Sequence, residues 1–281
     1  MLKGKTAIVT GGTKGIGFAI AKELASNNAT VVICSRTKSE LSQAVKELSK
    51  IKKSYGVICD VSQFNDCKKL IRFAVSKTKR IDILINNAGI YGPAGLLETN
   101  DPEDWQRVLA VNVLGTVYCT KLVLPFMKKR KSGKIINLAG AGVGGTRSLP
   151  RFSGYYISKA AIAALTENLG AELEPFSIQV NAIAPGGVAS DLNMNLLKLD
   201  RSVLGKDMHS MLMELRKTGG TPPDLAAKLV AFLCFAKANH ITGRLLSAKW
   251  DSLEKLGRKR SFTNNSFRLR RIDNNMFLEK K

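Results

Sequence analysis

The sequence predicts an α/β protein built on a doubly wound, mostly seven-stranded parallel sheet in a single domain. Apolar, β-rich runs alternate with helical patterns through nearly the whole chain, which is the signature of a parallel sheet with crossover helices. Most of these runs are continuously apolar, as expected for strands that helices cover on both faces. The chain has 281 residues, and α/β sheets often reach about 250 residues as one domain.

Each predicted strand is a short apolar run bounded by polar or glycine-rich sequence. The seven runs cover residues 6–10, 30–35, 55–59, 81–85, 134–138, 178–183 and 244–247. Two helix starts are also legible, at residues 101–104 and 221–224, where a polar residue precedes proline and acidic residues. These features all stabilise a helix N-terminus. We therefore predict Asp101 and Thr221 as the two capping residues.

The chain carries a formal net charge of +22. Such a field favours anionic partners: a phosphorylated cofactor, an acidic substrate or carrier, or nucleic acid. The candidate contacts are basic clusters, at residues 128–131, 258–260 and 268–271. Phe262 and Phe267 could stack on bases, but a solvated charge run is the simpler interpretation of these clusters. After Leu256 the sequence becomes polar and basic, which predicts a loosely attached tail over residues 257–281.

The cysteine pattern and the hydropathy exclude several classes of protein. The five cysteines form no CxxC pair, and only two histidines accompany them, which argues against a metal site and a disulfide framework. We expect inert core thiols, because free cysteine is among the most frequently buried residues. The longest apolar stretch, residues 229–236, is far shorter than the ~20 residues of a membrane span. No signal peptide is evident, so we expect a cytoplasmic protein.

The first predicted strand runs directly into a glycine-rich loop and then into an amphipathic helix. The loop reads Thr-Gly-Gly-Thr-Lys-Gly-Ile-Gly over residues 10–17. Glycines here permit a tight turn and a close approach of the backbone to a pyrophosphate, which then faces the helix N-terminus. Strand, glycine loop and helix in this order predict the dinucleotide site of a Rossmann fold.

The second predicted strand is followed by a cation where NAD-binding proteins carry an acid. That acid binds the ribose 2′-hydroxyl of NAD. Arg36 occupies this place, and a guanidinium can instead hold a 2′-phosphate through two hydrogen bonds. Lys14 in the glycine loop adds a second cation, with no competing acid apparent in the sequence. The sequence therefore predicts NADP(H) as the cofactor.

The order of further motifs resembles that of the short-chain dehydrogenase/reductase family over residues 3–247. These motifs are the glycine loop, Asp60-Val61, Asn86-Asn87-Ala88-Gly89, Asn112, Tyr155 with Lys159, and Pro185-Gly186. The resemblance implies cofactor contacts from Gly11, Thr13, Lys14, Gly15, Ile16, Gly17, Arg36, Asp60, Val61, Asn87, Ala88, Gly89, Tyr155, Lys159, Pro185, Gly186 and Val188. It also implies a small-molecule carbonyl or alcohol substrate, and a homodimer or homotetramer packed through the helices that carry Asn112 and Tyr155.

Tyr155 and Lys159 are the candidate catalytic pair. They lie four residues apart in a helix-forming stretch, which places them on one helical face. Tyrosine has an unperturbed pKa near ~10, so a nearby ammonium must stabilise the phenolate for proton exchange near neutrality. By resemblance, Tyr155 is the general acid/base, and Lys159 holds the nicotinamide ribose and lowers the tyrosine pKa. Asn112 would position a proton-relay water, whereas Tyr156 is one residue out of register.

The family's catalytic serine has no counterpart in this sequence. Counted from Asn137, the serine position is Ala139 or Gly140. Counted back thirteen residues from Tyr155, it is Gly142. Losing one preorganised donor to a developing oxyanion typically costs about 3 kcal/mol, or roughly 10²- to 10³-fold in rate.

Two functions are compatible with the absence of the family's catalytic serine. The first is an NADP(H)-dependent oxidoreductase that transfers hydride between nicotinamide and a carbonyl/alcohol pair, in which another group replaces the serine. Backbone N–H groups of the glycine-rich loop, Ser148 or Ser153 could do so, and Ser148 is preferred because its loop can reach the site. The alternative is an NADP(H)-binding pseudoenzyme or regulatory subunit.

Residues 190–220 are predicted to be a substrate-covering insertion within a catalytic domain that spans residues 1–256. They follow two glycines and have a weak, Met- and Leu-rich periodicity. The apolar side chains are Leu192, Met194, Leu196, Leu197, Met208, Met211 and Met213. They suggest an apolar substrate face, but core packing explains them equally well.

Overall fold

The protein is described here by a computed structural model over residues 1–140, 142–144, 148–258, 262 and 267–268. Its strands are β1 (Thr6–Thr10), β2 (Thr30–Ser35), β3 (Ser54–Ile58), β4 (Ile83–Asn86), β5 (Gly133–Leu138), β6 (Ile178–Ala184) and β7 (Arg244–Ser247). All pairs are parallel, in the order β3-β2-β1-β4-β5-β6-β7. The strand order reverses between β1 and β4, where such sheets bind their ligands. The predicted seven-stranded Rossmann fold is confirmed.

Helices cover both faces of this sheet. They are α1 (Gly15–Ser26), α2 (Lys38–Ser49), α3 (Phe64–Thr78), α4 (Pro102–Leu109), α5 (Gly115–Arg130), α6 (Ser153–Glu172), α7 (Asp191–Met194), α8 (Arg201–Leu204), α9 (Lys206–Thr218), α10 (Pro223–Cys234) and α11 (Leu253–Arg258). Helices α1, α2 and α10 bury their apolar residues against one face, and α3, α5 and α6 pack on the other. All five cysteines are free and buried, which confirms that they are core thiols.

The element boundaries agree with the predictions where local sequence decides them. Asp101 caps α4 as predicted, because its carboxylate accepts the Glu103 N–H at 2.8 Å. The prediction that Thr221 caps the next helix is wrong. Helix α10 begins at Pro223 with Pro222 in the cap position, and the Thr221 N–H instead donates to Gly187 O. A contact distant in sequence therefore displaces the local capping signal.

One helical run contains the candidate Asn112 and is long enough to resemble a membrane span. It comprises α4, a π-helical segment (Ala110–Leu114) and α5. By length and composition alone the run 102–130 could cross a bilayer. Its buried residues, among them Cys119, Val123 and Met127, pack with α3 and the sheet. We therefore describe it as a core helix.

Candidate active site

The glycine loop is clamped by the segment that follows β4. The Asn87 amide donates to Thr10 O and to Gly11 O, both at 2.9 Å. A Cβ atom at Gly17 would lie 2.3 Å from Gly11 O, so only glycine allows this close packing of helix on loop. Lys14 occupies the N-cap position of α1, and no side chain of the described residues caps that helix. Its first N–H groups therefore face the loop as an anion site.

A cleft of about 150 Å³ opens beside the glycine loop, at the carboxyl ends of β1, β2 and β4. It is lined by Gly11, Cys34, Ser35, Arg36, Cys59, Asp60, Val61, Ala88, Gly89, Ile90 and Val111. Six residues predicted to contact the cofactor thus come together: Gly11, Arg36, Asp60, Val61, Ala88 and Gly89. The others do not line this cleft: Thr13, Lys14, Gly15, Ile16, Gly17, Asn87, Tyr155, Lys159, Pro185, Gly186 and Val188.

The charged residues of this region differ from the expectation in one respect. Lys14 is paired with two acids, since its amine lies 3.0 Å from the Glu40 carboxylate and 3.3 Å from that of Asp191. The hydrogen bond to Glu40 is the main cause of a raised Lys14 pKa. The expectation that no acid competes for these cations is therefore wrong for Lys14. The competing acids lie on α2 and α7, far from Lys14 in sequence.

Tyr155 and Lys159 share one face of α6, with Lys159 buried at the end of β5. The Lys159 amine donates to Leu138 O at 2.8 Å and lies 5.5 Å from the centroid of the Tyr155 ring. Desolvation lowers the pKa of Lys159 to about 8. Burial raises the pKa of Tyr155, and the neighbouring Tyr91 adds to this effect. Burial therefore outweighs other effects on the Tyr155 pKa in this arrangement, and the lowering of that pKa by Lys159 stays a prediction.

Asn112 ties helix α6, which carries Tyr155, to the loop after β4. Its amide donates to Ile90 O and to the Ser158 hydroxyl, both at 2.9 Å, and its carbonyl oxygen accepts the Ile90 N–H. The Ser158 hydroxyl donates in turn to Tyr155 O at 2.7 Å. The side chain of Asn112 thus orients the turn of α6 that carries Tyr155. Its own backbone carbonyl accepts a hydrogen bond from the Thr116 hydroxyl.

The segment expected to carry the serine contains no hydroxyl at the predicted positions. Ala139 is buried, and Gly140 has a φ of +110°, in which a serine would be strained. Gly142 is exposed, and so is Ser148, the preferred substitute. Ser153 is the first residue of α6.

The residues after β6 hold the predicted insertion against the site. Gly186 has a φ of +86°, and a Cβ atom there would lie 2.6 Å from the Thr221 hydroxyl oxygen. Val188 is buried and bridges to Gly220. The insertion itself forms a small apolar cluster with Phe152, whose buried members are Leu196, Leu204, Met208, Leu212 and Leu215.

The insertion's predicted apolar side chains divide into two groups. Leu196 and Met208 are buried in this cluster, with Met194 and Leu197 partly buried against it. Leu192, Met211 and Met213 are instead exposed. Core packing thus accounts for the first group only.

The tail phenylalanines are not free to stack on bases, as the nucleic-acid hypothesis required. Phe262 and Phe267 pack against the main core, and the Leu245 N–H donates to Phe267 O at 2.8 Å. The described part of the tail is therefore attached, contrary to expectation. Lys128 lies over the Phe176 ring, and Arg130 donates to Ile81 O. Four tail cations lie outside the described residues, namely Lys259, Arg260, Arg270 and Arg271.

Tyr91 is a site residue that the sequence analysis missed. Its ring stacks on that of Tyr155 with a centroid distance of 4.2 Å, and it meets Phe152 edge-on at 5.5 Å. Its hydroxyl donates to the Asn193 carbonyl oxygen at 2.6 Å. The available signal was its place two residues after Gly89, in the loop that leaves β4 at the ligand edge of the sheet.

Comparisons with known proteins agree with this architecture. The family model described as short chain dehydrogenase matches residues 5–200. Dehydrogenase/reductase SDR family member 4 of Mus musculus is 37% identical, over 86% of this chain and 85% of the mouse protein. A solved actinorhodin polyketide ketoreductase with NADPH has a TM-score of 0.79 at 28% identity, covering 88% of this chain and 97% of that one.

A second solved structure carries the other nicotinamide cofactor. It is the 3-ketoacyl-(acyl-carrier-protein) reductase of Brucella melitensis complexed with NADH, with a TM-score of 0.76 and 30% identity. The alignment covers 88% of this chain and 97% of that one. The family match and the mouse relative together decide the assignment: this chain belongs to the short-chain dehydrogenase/reductase family of oxidoreductases.

Proposed function

We propose that the protein is an NADP(H)-dependent oxidoreductase that transfers a hydride between nicotinamide and a small carbonyl or alcohol substrate. The observation that carries this proposal is the placement of Tyr155 and Lys159. Lys159 is anchored on Leu138 O at the end of β5, one helical turn from a tyrosine whose hydroxyl can exchange a proton. Helix α6 and the sheet hold both residues, which favours a preorganised acid/base pair.

A nicotinamide dinucleotide fits the residues present. The uncapped N-terminus of α1 and the close-packed glycine loop offer N–H groups to a pyrophosphate. Arg36 and Asp60 both line the cleft; we assign the adenosine to them, and the Arg36 guanidinium favours a 2′-phosphate. Asp60 is fixed for this purpose, since its carboxylate accepts the Ser62 N–H and hydroxyl at 3.0 and 2.7 Å. When bound, the nicotinamide donates or accepts the hydride.

The protein's own part in the reaction is proton transfer. The Tyr155 hydroxyl donates its proton to the carbonyl oxygen in reduction and takes it back in oxidation. Lys159, with a pKa of about 8, is mostly protonated at neutral pH. Its ammonium has three donors, of which one goes to Leu138 O, so two are left for the nicotinamide ribose and the phenol. Asn112, through Ser158, keeps Tyr155 in register with them.

The walls around Tyr155 favour an apolar substrate face. The small cluster formed by Phe152 and the insertion packs against Tyr91 and Tyr155. A pocket of this kind orients a ligand through a few polar groups and otherwise excludes water. We therefore propose a carbonyl compound with an apolar substituent, covered by residues 190–220.

Substitution of the acid/base pair tests the proposed function. We expect NADPH oxidation with at least one compound from a panel of aliphatic and aromatic ketones and aldehydes. Tyr155→Phe and Lys159→Ala should each reduce kcat at least about 100-fold, the usual size of a lost general acid or base. Tyr156→Phe, which removes the adjacent phenol, is the matched control and should stay near the wild-type rate.

The competing outcome is a pseudoenzyme. NADPH binding without reduction of any panel compound, with Tyr155→Phe indistinguishable from the wild type, would overturn the proposal. Measurable turnover that Lys159→Ala abolishes excludes the pseudoenzyme instead.

A further inference from the structure

The positions after β5 at which family resemblance places a serine carry no hydroxyl at Ala139, Gly140 and Gly142. Ala139 packs against Ile162 and Ala182. Ser158 lies close to Tyr155, but its hydroxyl already donates to Tyr155 O. A reductase with this site therefore needs a second hydrogen-bond donor for the reacting oxygen from another residue.

Tyr91 places a phenol directly beside Tyr155. The centroids of the two rings lie 4.2 Å apart, and the ring planes are tilted by 35°. Phe152 contacts the Tyr91 ring edge-on from another side. Tyr91 follows β4, which ends at the ligand edge of the sheet. It also packs against the apolar cluster that forms the proposed substrate wall.

The Tyr91 hydroxyl is held in a defined direction. It donates to the Asn193 carbonyl oxygen at 2.6 Å, and the Asn193 amide donates to Val188 O at 2.6 Å. The bond from the Asn193 amide to Val188 O orients the carboxamide so that its oxygen faces Tyr91. Burial raises the pKa of Tyr91 to about 12, so the hydroxyl keeps its proton at neutral pH and acts as a donor.

We propose that Tyr91 supplies the second hydrogen bond to the substrate's carbonyl oxygen, in place of the missing serine. This inference rests on the proposed function. On substrate binding, the Tyr91 hydroxyl rotates about its C–O bond from Asn193 to the carbonyl oxygen and remains protonated throughout. Tyr155 alone transfers the proton. Tyr91 therefore acts as a donor to the developing oxyanion, and Asn193 is the partner that holds it in the absence of substrate.

The decisive variant is Tyr91→Phe, which keeps the ring stack and removes only the hydroxyl. With the ketone or aldehyde that the wild type reduces fastest, we expect kcat to fall roughly 10²-fold, as for other lost oxyanion donors. KM and the NADPH dissociation constant should change less than threefold, because the lost bond strengthens in the transition state. The near-ultraviolet circular dichroism of the folded protein should be retained.

Asn193→Ala is the comparison variant, because it removes the same hydrogen bond while leaving the Tyr91 hydroxyl in place. A donor role predicts that this variant loses much less kcat than Tyr91→Phe, since the substrate still finds the hydroxyl. If Tyr91→Phe and Asn193→Ala lose kcat equally, the bond to the insertion is the only role of Tyr91, and the inference is wrong.

Three further outcomes separate the possible failures. A Tyr91→Phe variant with the wild-type kcat overturns the inference but leaves the proposed function intact. A Ser148→Ala variant that loses kcat, while Tyr91→Phe does not, assigns the donor to the loop after β5. A wild type that binds NADPH but reduces no compound of the panel overturns the proposed function and this inference together.

Discussion

In the glycine loop, the Lys14 amine is shared between the carboxylates of Glu40 and Asp191. A bound 2′-phosphate would compete with both acids for this cation. Arg36 lines the cleft independently of them. We propose that Arg36 is the main determinant of a preference for NADP(H) over NAD(H), because the Lys14 amine is already paired with two acids.

Removing the charge of Glu40 should strengthen the preference for NADP(H). We expect Glu40→Gln to raise the ratio of NADPH to NADH affinity by about twofold to fivefold, the range typical of a single exposed charge pair. Fluorescence titration of both cofactors measures the ratio. The control is Glu47→Gln, on the same helix as Glu40. It breaks the exposed ion pair between Glu47 and Lys50. An unchanged ratio in Glu40→Gln would contradict this assignment of Lys14.

Single residues were predictable where a motif joins neighbours in sequence, and less so where the fold joins distant ones. Arg36 and Asp60 each follow an apolar strand, so topology alone brings them to one cleft. The partners of Lys14 lie on two other helices, and no local pattern indicates them. Tyr91 carries no motif of its own, and its role becomes visible only through the stack on Tyr155.

The sequence predicts helices and strands better than it predicts the residues at which they begin and end. Strands β1, β2 and β7 have the predicted boundaries, and in β1 and β2 a continuous apolar run between polar residues decides them. The fourth strand begins at Ile83 rather than at residue 81, because the Asp82 carboxylate accepts the Thr6 N–H at 2.9 Å. Here a side-chain carboxylate, and not a backbone carbonyl of the neighbouring strand, accepts the Thr6 N–H. Periodicity gives the existence of an element, but long-range hydrogen bonds place its first and last residues.

The helices that carry Asn112 and Tyr155 leave apolar side chains exposed. Leu114, at the end of the π-helical segment, is 42% exposed, and Ile157 of α6 is 48% exposed. These two elements contact each other. Exposed apolar side chains on adjoining elements are typical of protein–protein interfaces. We propose that this surface joins copies of the chain in a homodimer or homotetramer.

A charge on this surface should separate the copies. We expect light scattering to give the wild type a mass at least twice 30.6 kDa, and Ile157→Glu a mass near that of one chain. Burying an unpaired carboxylate costs several kcal/mol, which an interface of ordinary size does not offset. Ile51→Glu, at another exposed isoleucine, should leave the assembly intact. A monomeric wild type would refute this surface as an interface.

Across the whole molecule, a net charge of +22 coexists with two buried lysines on or beside β5. Lys159 is the catalytic candidate. Lys134 lies near the other end of the strand, where its amine donates to the Asn239 side-chain oxygen at 2.7 Å. Desolvation lowers the pKa of each to about 8. Since the unfolded chain binds these protons more tightly, both lysines destabilise the fold below about pH 8, and this cost disappears as the pH rises towards 10.5.

Lys134→Met should therefore stabilise the protein at neutral pH and less so in alkali. Lowering a pKa from 10.5 to about 8 corresponds to about 3 kcal/mol, and losing the bond to Asn239 offsets about 1 kcal/mol. We expect a net gain of roughly 2 kcal/mol in the free energy of unfolding at pH 7 that shrinks by pH 10. Burial raises the pKa of Cys234 to about 12, and Lys134 partly opposes this rise, so the removal of Lys134 reduces the gain further above pH 9. Urea unfolding at both pH values measures the difference, with exposed Lys228→Met as control. A gain in the free energy of unfolding that is the same at pH 7 and pH 10 would show that the burial of Lys134 does not destabilise the fold.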